Sequence, residues 1–402
     1  MTSSWHTASL SELCEQMNGI WKGTKGPFVT AKVLRTTNFT KDCQLQLNDL
    51  AIIEVEKKKM DARHLQKGDI IVEKSGGGPK QPVGRVILFN IDDLDYSFCN
   101  FTSALRIKDK TILLPEYLHK YLTYLYYSGE TEKYQSNLVG FRNLDFKGYV
   151  SMKIHFPSLQ EQRRINSVLD AGFARIDSLS NNAAKNFQNA KDLFQAAIIQ
   201  ELEPKKGWNT FALKDISESI GDGLHGTPEY SDDGPCYFIN GNNLNDGVIT
   251  INNKTNRVSS EERDKYYIPL NNHTLLVSIN GTLGKVAYYN GEDVILGKSA
   301  CYITLKKGIN KDFIFHILSS DIFMKYAESE YTGLTIKNVS LKSMRNFPIH
   351  FPPSEKEQLI VVDKLNSLRT KSQTLQNDFM RIRNLCDDLK HALLRKAFNG
   401  EL

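Results

Sequence analysis

Residues 157–202 read PSLQEQRRINSVLDAGFARIDSLSNNAAKNFQNAKDLFQAAIIQEL, a stretch with no proline after its first residue. Apolar and small residues recur along it at alternating steps of three and four, which is the spacing of one stripe on a coiled-coil helix. Because one helix cannot bury such a stripe by itself, the sequence predicts that a second helix packs against it. The stripe consists of Ile165, Leu169, Gly172, Ile176, Leu179, Ala183, Phe187, Ala190, Phe194 and Ala197.

The second helix is predicted in the same chain, over residues 352–402. The tetrapeptide Ile-His-Phe-Pro precedes both helices, at residues 154–157 and 349–352, and the dipeptide Glu-Leu closes both, at residues 201–202 and 401–402. The second stripe has the same spacing as the first and consists of Val362, Leu365, Leu368, Ser372, Leu375, Phe379, Ile382, Cys386, Leu389 and Leu393.

The repeat continues upstream of each helix. A pattern of Trp, Thr, Leu, an acidic residue and an aliphatic residue begins at Trp5 and returns with the same spacing at Trp208. Repetition over this length indicates a tandem duplication. We expect an α+β fold in which two similar globular domains are joined by two long helices, and the helices form an antiparallel coiled coil with pseudo-twofold symmetry. The predicted domains are residues 1–156 and 204–351, and the predicted helices are residues 157–203 and 352–402.

Hydrophobic patterning predicts the same order of strands and helices in both domains. In the first domain the predicted strands are 50–55, 70–73, 86–89 and 105–107, followed by a helix at 115–127. In the second domain they are 237–239, 274–279, 285–289 and 302–305, followed by a helix at 311–327. Smaller landmarks match as well: Gly84-Arg85-Val86 with Gly284-Lys285-Val286, and Ser103-Ala104 with Ser299-Ala300. The loops between the landmarks diverge most, and loops usually carry binding specificity.

Composition bounds the class of protein. The chain has 402 residues and is 40% hydrophobic, which is enough for two or three domains with real cores. No apolar run approaches the roughly 20 residues that span a bilayer, and the start has no signal-peptide pattern, so we expect a cytoplasmic protein without a membrane segment. The six cysteines have no zinc or redox spacing, which predicts buried thiols. The net charge of +5 is compatible with nucleic-acid binding but does not identify it.

Two patterns raise the question of a catalytic or cofactor site. Residues 221–226, GDGLHG, spell the dinucleotide fingerprint, which works only between a strand and a helix. We expect residues 213–220 to be helical, and Thr227-Pro228 stands where the following helix should begin, so a loop is the better reading. Asp49 with Glu56-Lys57-Lys58 resembles part of a metal-dependent nuclease site, but charged residues that close a strand more often form a solvated edge. No ATPase, metalloprotease or adenine-methyltransferase motif is present.

The loops instead carry side chains suited to DNA. Arginine and lysine bind guanine edges or phosphates, asparagine pairs with adenine, and neighbouring glycines let the backbone approach. The candidates in the first domain are Lys22, Thr24, Lys25, Lys80, Arg85 and Arg142. The candidates in the second domain are His225, Asn240, Asn242, Asn243, Asn280, Lys285, Lys298, Thr335 and Lys337. Their recurrence at matched places in two copies favours DNA contact by the loops as a group.

Several motifs add a family resemblance. They are GLHGTP at residues 223–228, FINGNNL at 238–244, GLTIKN at 333–338 and FPPSEKEQ at 351–358, the last echoed as FPSLQEQ at 156–162. With the duplicated architecture, these motifs resemble the DNA-specificity subunit of type I restriction-modification systems over essentially the whole chain. The first copy departs from this pattern at residues 139–143, VGFRN, where the GLTIK form is lost.

The resemblance implies a protein with no catalysis and no cofactor of its own. Each target-recognition domain would read one half of a bipartite double-stranded DNA site, and the helices would set the spacing. Two methyltransferase subunits using S-adenosylmethionine would dock on this scaffold and flip the target adenine, joined by ATP-dependent restriction subunits. Two alternatives stay open: a self-sufficient metal-dependent DNA endonuclease, and a coiled-coil scaffold that binds no DNA.

Overall fold

The computed structural model describes residues 5–78, 81–138, 141–331 and 337–402. Two compact units are present, which we call unit 1 and unit 2. Unit 1 comprises Met1–Asn182 with Ile382–Leu402, and unit 2 comprises Ala183–Arg381. Each unit contains a globular α+β domain and one segment of each of two long helices.

The elements of the first half of the chain are β1 (His6–Ser9), α1 (Leu10–Leu13), β2 (Cys14–Asn18), β3 (Phe28–Leu34), β4 (Ala51–Glu56), α2 (Lys57–Arg63), β5 (Ile70–Glu73), β6 (Ser75–Gly77), β7 (Val86–Leu88), β8 (Tyr96–Phe98), β9 (Thr102–Ile107), α3 (Pro115–Tyr127), β10 (Gln135–Leu138), β11 (Phe141–Leu144), α4 (Phe146–Ser151), β12 (Lys153–Phe156) and α5 (Leu159–Leu202). Short 3-10 turns lie at Thr36–Asn38 and Glu130–Tyr134.

The second half contains β13 (Asn209–Ala212), β14 (Ser217–Gly221), β15 (Cys236–Ile239), β16 (Leu244–Asn245), β17 (Val248–Ile249), β18 (Arg257–Val258), α6 (Ser260–Lys265), β19 (Thr274–Ser278), β20 (Val286–Tyr288), β21 (Val294–Leu296), β22 (Ala300–Leu305), α7 (Lys311–Leu318), α8 (Asp321–Glu330), α9 (Leu341–Asn346), β23 (Pro348–Phe351) and α10 (Glu355–Phe398). Here 3-10 turns lie at Leu213–Ile216 and Gly241–Asn243.

Two sheets of unit 1 have the same topology as two sheets of unit 2. Unit 1 has an antiparallel sheet in the order β2-β9-β5-β7, and unit 2 has β14-β22-β19-β20. A second sheet, β4-β3-β8 in unit 1 and β18-β15-β21 in unit 2, contains one parallel pair in each case. The predicted duplication extends to single hydrogen bonds. The Thr7 hydroxyl lies 2.9 Å from Nδ1 of His155, and the Thr210 hydroxyl lies 2.9 Å from Nδ1 of His350.

The strand register corrects one sequence match. Val72 pairs with Ser103, whereas its counterpart Val277 pairs with Cys301. Ser103 therefore corresponds to Cys301, and the match of Ser103-Ala104 with Ser299-Ala300 is wrong by two residues. A shift of two keeps every side chain on the same face of the sheet, so the alternating pattern could not reveal the error.

Two other sequence predictions also differ from the structure. The helix expected at 311–327 is two helices, α7 and α8, because the Ser320 hydroxyl caps a new start by accepting a hydrogen bond from the backbone N–H of Ile322 at 3.2 Å.

The stretch 213–220, expected to be helical, is a 3-10 turn followed by strand β14. A strand therefore does precede the GDGLHG loop. The next helix begins only at Ser260, so a helix N-terminus for a pyrophosphate is absent from this part of the described chain.

The long helices α5 and α10 each contain 44 residues. The hydroxyls of Ser158 and Ser354 accept hydrogen bonds from the N–H groups of Glu161 and Glu357, so the same cap begins both helices. The two helices pack antiparallel within unit 1, where Arg164 bonds the Leu402 carbonyl at 2.9 Å and Asp177 pairs with Lys390 at 2.6 Å.

Unit 2 shows the same antiparallel packing of the two helices. Glu201 pairs with Lys364, and the Ser372 hydroxyl bonds the Ala190 carbonyl at 3.4 Å. Most predicted stripe residues are buried or partly buried. The prediction of a buried stripe is wrong at Leu179, Leu375 and Leu389, which expose 48%, 46% and 50% of their surface. A real helix drifts by about 20° per heptad relative to a strict seven-residue repeat, which moves the contact to the next residue at these points.

The helix ends belong to the domain cores. Ile165, Leu169 and Phe398 are buried in the main hydrophobic core of unit 1, and Ile198 and Leu365 in that of unit 2. Each domain and the helix segments beside it therefore share one core. The predicted domain boundaries stay a prediction.

Candidate DNA interface

Several loops of unit 2 meet at one end of its sheets. Backbone hydrogen bonds link them, because Leu224 N–H donates to the Leu296 carbonyl at 2.7 Å, Gly297 N–H to Ile239 at 2.8 Å and Gly281 N–H to Lys337 at 3.0 Å. We call residues 222–225, 240–242, 279–281, 297–299 and 337–338 the unit 2 loop cluster. The sequence candidates His225, Asn240, Asn242, Asn280, Lys298 and Lys337 all lie in it.

The backbone of this cluster is tightly held. The Ser299 hydroxyl accepts a hydrogen bond from Gly241 N–H at 2.9 Å and donates to the Asn240 side-chain oxygen at 3.1 Å. A Cβ atom at Gly223 would lie 1.9 Å from the Leu296 carbonyl oxygen, so only glycine permits this close approach. The loops therefore form a preorganised frame rather than independent turns.

Four candidate side chains project from this frame into solvent: His225, Asn242, Lys298 and Lys337. His225 Nε2 lies 2.9 Å from an Asp222 oxygen, and the Lys337 ammonium lies 3.8 Å from Glu328. Both contacts are exposed to solvent and therefore weak. These cationic, imidazole and amide groups remain accessible to DNA.

Asn243 and Asn240 have a structural role instead. The Asn243 side chain accepts from Asn240 N–H at 2.9 Å and donates to the Thr250 carbonyl at 3.1 Å. In unit 1, Asn38 makes the same pair of bonds, to Arg35 N–H at 2.8 Å and the Gln46 carbonyl at 3.0 Å. Both ends of the Asn243 amide therefore hold a turn that the two units share, which disfavours the expectation that Asn243 reads DNA.

The expectation that Arg85 contacts DNA also meets a structural objection. Its exposed fraction is only 7%, and its guanidinium forms a bidentate ion pair with Glu73 at 2.7 and 2.8 Å. A third N–H donates to the Phe39 carbonyl at 2.9 Å. This group is buried and bonded within unit 1, which disfavours the expectation that Arg85 contacts DNA. The corresponding Lys285 is only partly buried and stays a candidate.

Unit 1 has an equivalent cluster, which we define as residues 18–22, 74–77, 99–101 and 142–143. Ile20 N–H donates to the Phe98 carbonyl at 2.8 Å, as Leu224 does to Leu296. Leu144 N–H donates to the Lys74 carbonyl at 2.8 Å, as Val339 does to Ile279 at 2.9 Å. Counting two residues back from Leu144 and from Val339 places Arg142 where unit 2 has Lys337.

The loop of Lys22, Thr24 and Lys25 only partly belongs to this cluster. The N–H groups of Thr24 and Lys25 donate to one Glu56 oxygen at 2.8 and 2.9 Å. Glu56 faces Phe28 at the start of β3, whereas the loop cluster meets β3 at its other end. Seven strand residues separate these points by about 20 Å. Thr24 and Lys25 therefore lie away from the cluster, and Lys22 lies at its edge.

Glu56 and Asp49, the acidic residues of the nuclease-like pattern, form hydrogen bonds and ion pairs within unit 1. The backbone N–H groups of Lys25 and Thr24, with Lys59, lower the pKa of Glu56 to about 2. Asp49 pairs with Arg35 at 2.7 Å. Within the described ranges, no group of three or more His, Cys, Asp or Glu residues is placed to hold a metal ion. The structure therefore adds no support for metal-dependent cleavage at Asp49 and Glu56.

Lys80 and Thr335 lie outside the described residues. The cysteines are free thiols, all buried except the partly exposed Cys99, and burial raises the pKa of Cys14 to about 12. In the part of the chain that the structure describes, no helix is both long and apolar enough to cross a membrane.

The sequence reading missed Trp21 and Asn100. Ile20 forms a β-bridge with Cys99 in unit 1, and Leu224 forms the equivalent bridge with Gly297 in unit 2. The residues that follow each bridge therefore correspond between the units. Trp21 corresponds to His225, and Asn100 corresponds to Lys298. Both side chains are exposed. The sequence signal that could have identified Trp21 is the alignment of Gly19-Ile20-Trp21 with Gly223-Leu224-His225. This alignment becomes evident only once the strand register is known.

This chain is similar to a known family and to known proteins. Residues 3–186 and 205–378 match the family profile of the type I restriction modification DNA specificity domain. The type I restriction enzyme StySPI specificity subunit of Salmonella potsdam is 22% identical over 436 residues, covering 100% of this chain and 90% of that protein. The EcoBI specificity subunit of Escherichia coli is 23% identical over 275 residues, covering 61% of this chain and 57% of that protein.

Solved structures agree with the fold. A chain from a study of complex assembly and conformational transition of the type I R-M system has a TM-score of 0.75 at 18% identity, covering 100% of this chain and 99% of that one. The HsdS subunit from Thermoanaerobacter tengcongensis has a TM-score of 0.55 at 16% identity, covering 100% and 98%. The predicted α+β fold with two similar domains and two long helices is confirmed.

Proposed function

Because this chain belongs to the family of type I restriction-modification DNA specificity proteins, we propose that each of its units reads one half of a bipartite double-stranded DNA site through its loop cluster. As a specificity subunit, the chain selects the DNA sequence on which the system acts. The two clusters share a frame, so the half-sites would be engaged in the same way but differ in sequence.

One observation carries this proposal: the same hydrogen-bonded frame holds different side chains in the two units. Unit 2 has His225 and Lys298 where unit 1 has Trp21 and Asn100. Base edges differ in their donors, acceptors and methyl groups, so a changed side chain on an unchanged backbone changes the preferred base. A protein that only needed a scaffold would have no use for this variation on exposed loops.

The long helices would set the spacing of the half-sites and dock the partner subunits. They expose several large apolar side chains, with Leu193 at 72% and Ile360 at 59%. Where such side chains form a contiguous patch they mark protein contact. The side chains concerned are Val168, Leu179, Leu193, Leu359, Ile360, Leu375, Met380, Leu385 and Leu389. The proposed occupants are two methyltransferase subunits, joined by restriction subunits.

Catalysis and its cofactors are assigned to those partners. S-adenosylmethionine would be bound by the methyltransferase subunits and ATP by the restriction subunits, and the present chain would bind neither. A methyltransferase subunit needs the target base outside the stack, so this chain must hold the duplex firmly on both sides of the target.

Purified proteins test the proposal against its two alternatives. The complex with methyltransferase subunits should bind its specific duplex more tightly than a duplex with one half-site scrambled, at fixed salt. This chain alone should leave DNA uncut in the presence of Mg²⁺. Cleavage by the chain alone would favour the endonuclease, and DNA binding that does not depend on this chain would favour the scaffold.

A further inference from the structure

Trp21 is the most unusual exposed side chain in the unit 1 loop cluster. Its exposed fraction is 66%, although tryptophan is a large aromatic residue that normally buries most of its surface. The other tryptophans, Trp5 and Trp208, pack against the hydrophobic cores of units 1 and 2. Exposure of an indole on a loop beside candidate DNA contacts therefore needs a functional explanation.

The backbone around Trp21 is fixed, so the indole is held outward. Ile20 is only 2% exposed, packs in a small core with Val33 and Val55, and is bonded to the Phe98 carbonyl at 2.8 Å. A Cβ atom at Gly19 would lie 1.9 Å from the Cys99 carbonyl oxygen, so only glycine permits the close approach of the two segments there. Three residues beyond Trp21, Thr24 is anchored by Glu56.

A fixed backbone means that little conformational entropy is lost when Trp21 binds a ligand. The indole has only two rotatable side-chain bonds, and its apolar faces are not suited to phosphate. In a duplex they are suited to thymine methyl groups and to a base step that is partly unstacked by an apolar wedge. Lys22, which is exposed next to it, supplies the positive charge that the neighbouring backbone phosphate needs.

We propose that Trp21 is a specificity-determining residue that packs its indole against a base step of the half-site read by unit 1, with the Asn100 amide beside it hydrogen-bonding a base edge. In unit 2 the corresponding positions are occupied by His225 and Lys298, so the second half-site is read there by polar contacts. This inference rests on the proposed function of unit 1 and goes beyond it by assigning one apolar contact.

The test compares three variants in the complex with methyltransferase subunits. Trp21→Ala should weaken binding of the specific duplex by roughly 10- to 100-fold, the range for loss of one base–aromatic contact. Non-specific binding and the salt dependence should stay unchanged, because an apolar contact releases no counterions. Trp21→Phe should retain most of the affinity, since it preserves an aromatic face.

The matched control is Leu94→Ala. Leu94 is 65% exposed in the same unit, but it precedes β8, whereas the loop cluster follows the other end of that strand. This variant should bind like the wild type. A Trp21→Ala complex with wild-type affinity and specificity would overturn the inference alone, as would an equal loss on specific and non-specific DNA. A wild-type complex that cannot distinguish the specific duplex would overturn the proposed function as well.

Discussion

Shortening the paired helices by one heptad should shorten the gap between the half-sites. The facing segments follow from the structure, because Ala190 contacts Ser372 in an antiparallel pair. Residues 185–191 therefore face residues 371–377, and both segments should be removed together. Removing seven residues from each helix keeps the apolar stripes in register.

The size of the effect follows from helix geometry. Seven residues at ~1.5 Å each shorten the pair by about 10 Å. Base pairs are spaced by ~3.4 Å along DNA, so this is about three base pairs. The deletion also turns one end of each helix by about 20°, which is small beside the total of roughly 100° by which three base pairs rotate the duplex. The preferred gap should therefore fall by about three base pairs.

Genome-wide mapping of methylated adenines in cells that carry the deletion variant measures the gap directly. The variant should methylate the same two half-sites with a shorter gap, or lose methylation. Insertion of one heptad at the same two places is the matched control, and it should lengthen the gap by a similar amount. A folded deletion variant that keeps the original gap would refute the role of the helices as a ruler.

Other substitutions separate the roles of single residues. Lys337→Ala should weaken binding to all sequences and reduce the slope of log affinity against log salt by about one, measured by titration at several salt concentrations. Asn242→Ala should relax specificity at one base pair, at a cost of roughly 1–3 kcal/mol in binding a set of single-base variants. Asn243→Ala should instead lower the free energy of unfolding by about 1–3 kcal/mol, without a change at any one base pair. Arg85→Ala should cost about 3–5 kcal/mol in denaturant unfolding, because it leaves a buried carboxylate unpaired; a cost below about 1 kcal/mol would contradict the burial of that pair.

The fold was predictable from the sequence because it is repeated. Two helices with matching stripes, each preceded by the same tetrapeptide, predict the architecture without any knowledge of the loops. The errors at Leu375 and Leu389 have a physical cause, since a strict heptad count ignores the drift of a 3.6-residue helix. The break at Ser320 was missed because a single side-chain cap stopped one helix and started another.

The site was less predictable, because residue type does not reveal a partner distant in sequence. Arg85 looked like a DNA contact until its carboxylate, Glu73, was placed beside it by the pairing of neighbouring strands. Asn243 looked like a base reader, but its hydrogen bonds are local and structural. Trp21 was overlooked because its equivalence to His225 depends on strand register.

Exchange of residues 204–351 for the equivalent domain of a relative with a different site tests the central claim most directly. The measurement is the set of methylated sequences in cells that express the hybrid. We predict that one half of the bipartite site changes to that of the relative, while the other half and the gap stay as in the wild type. A change in both halves, or in neither, would contradict the reading of one half-site by each unit.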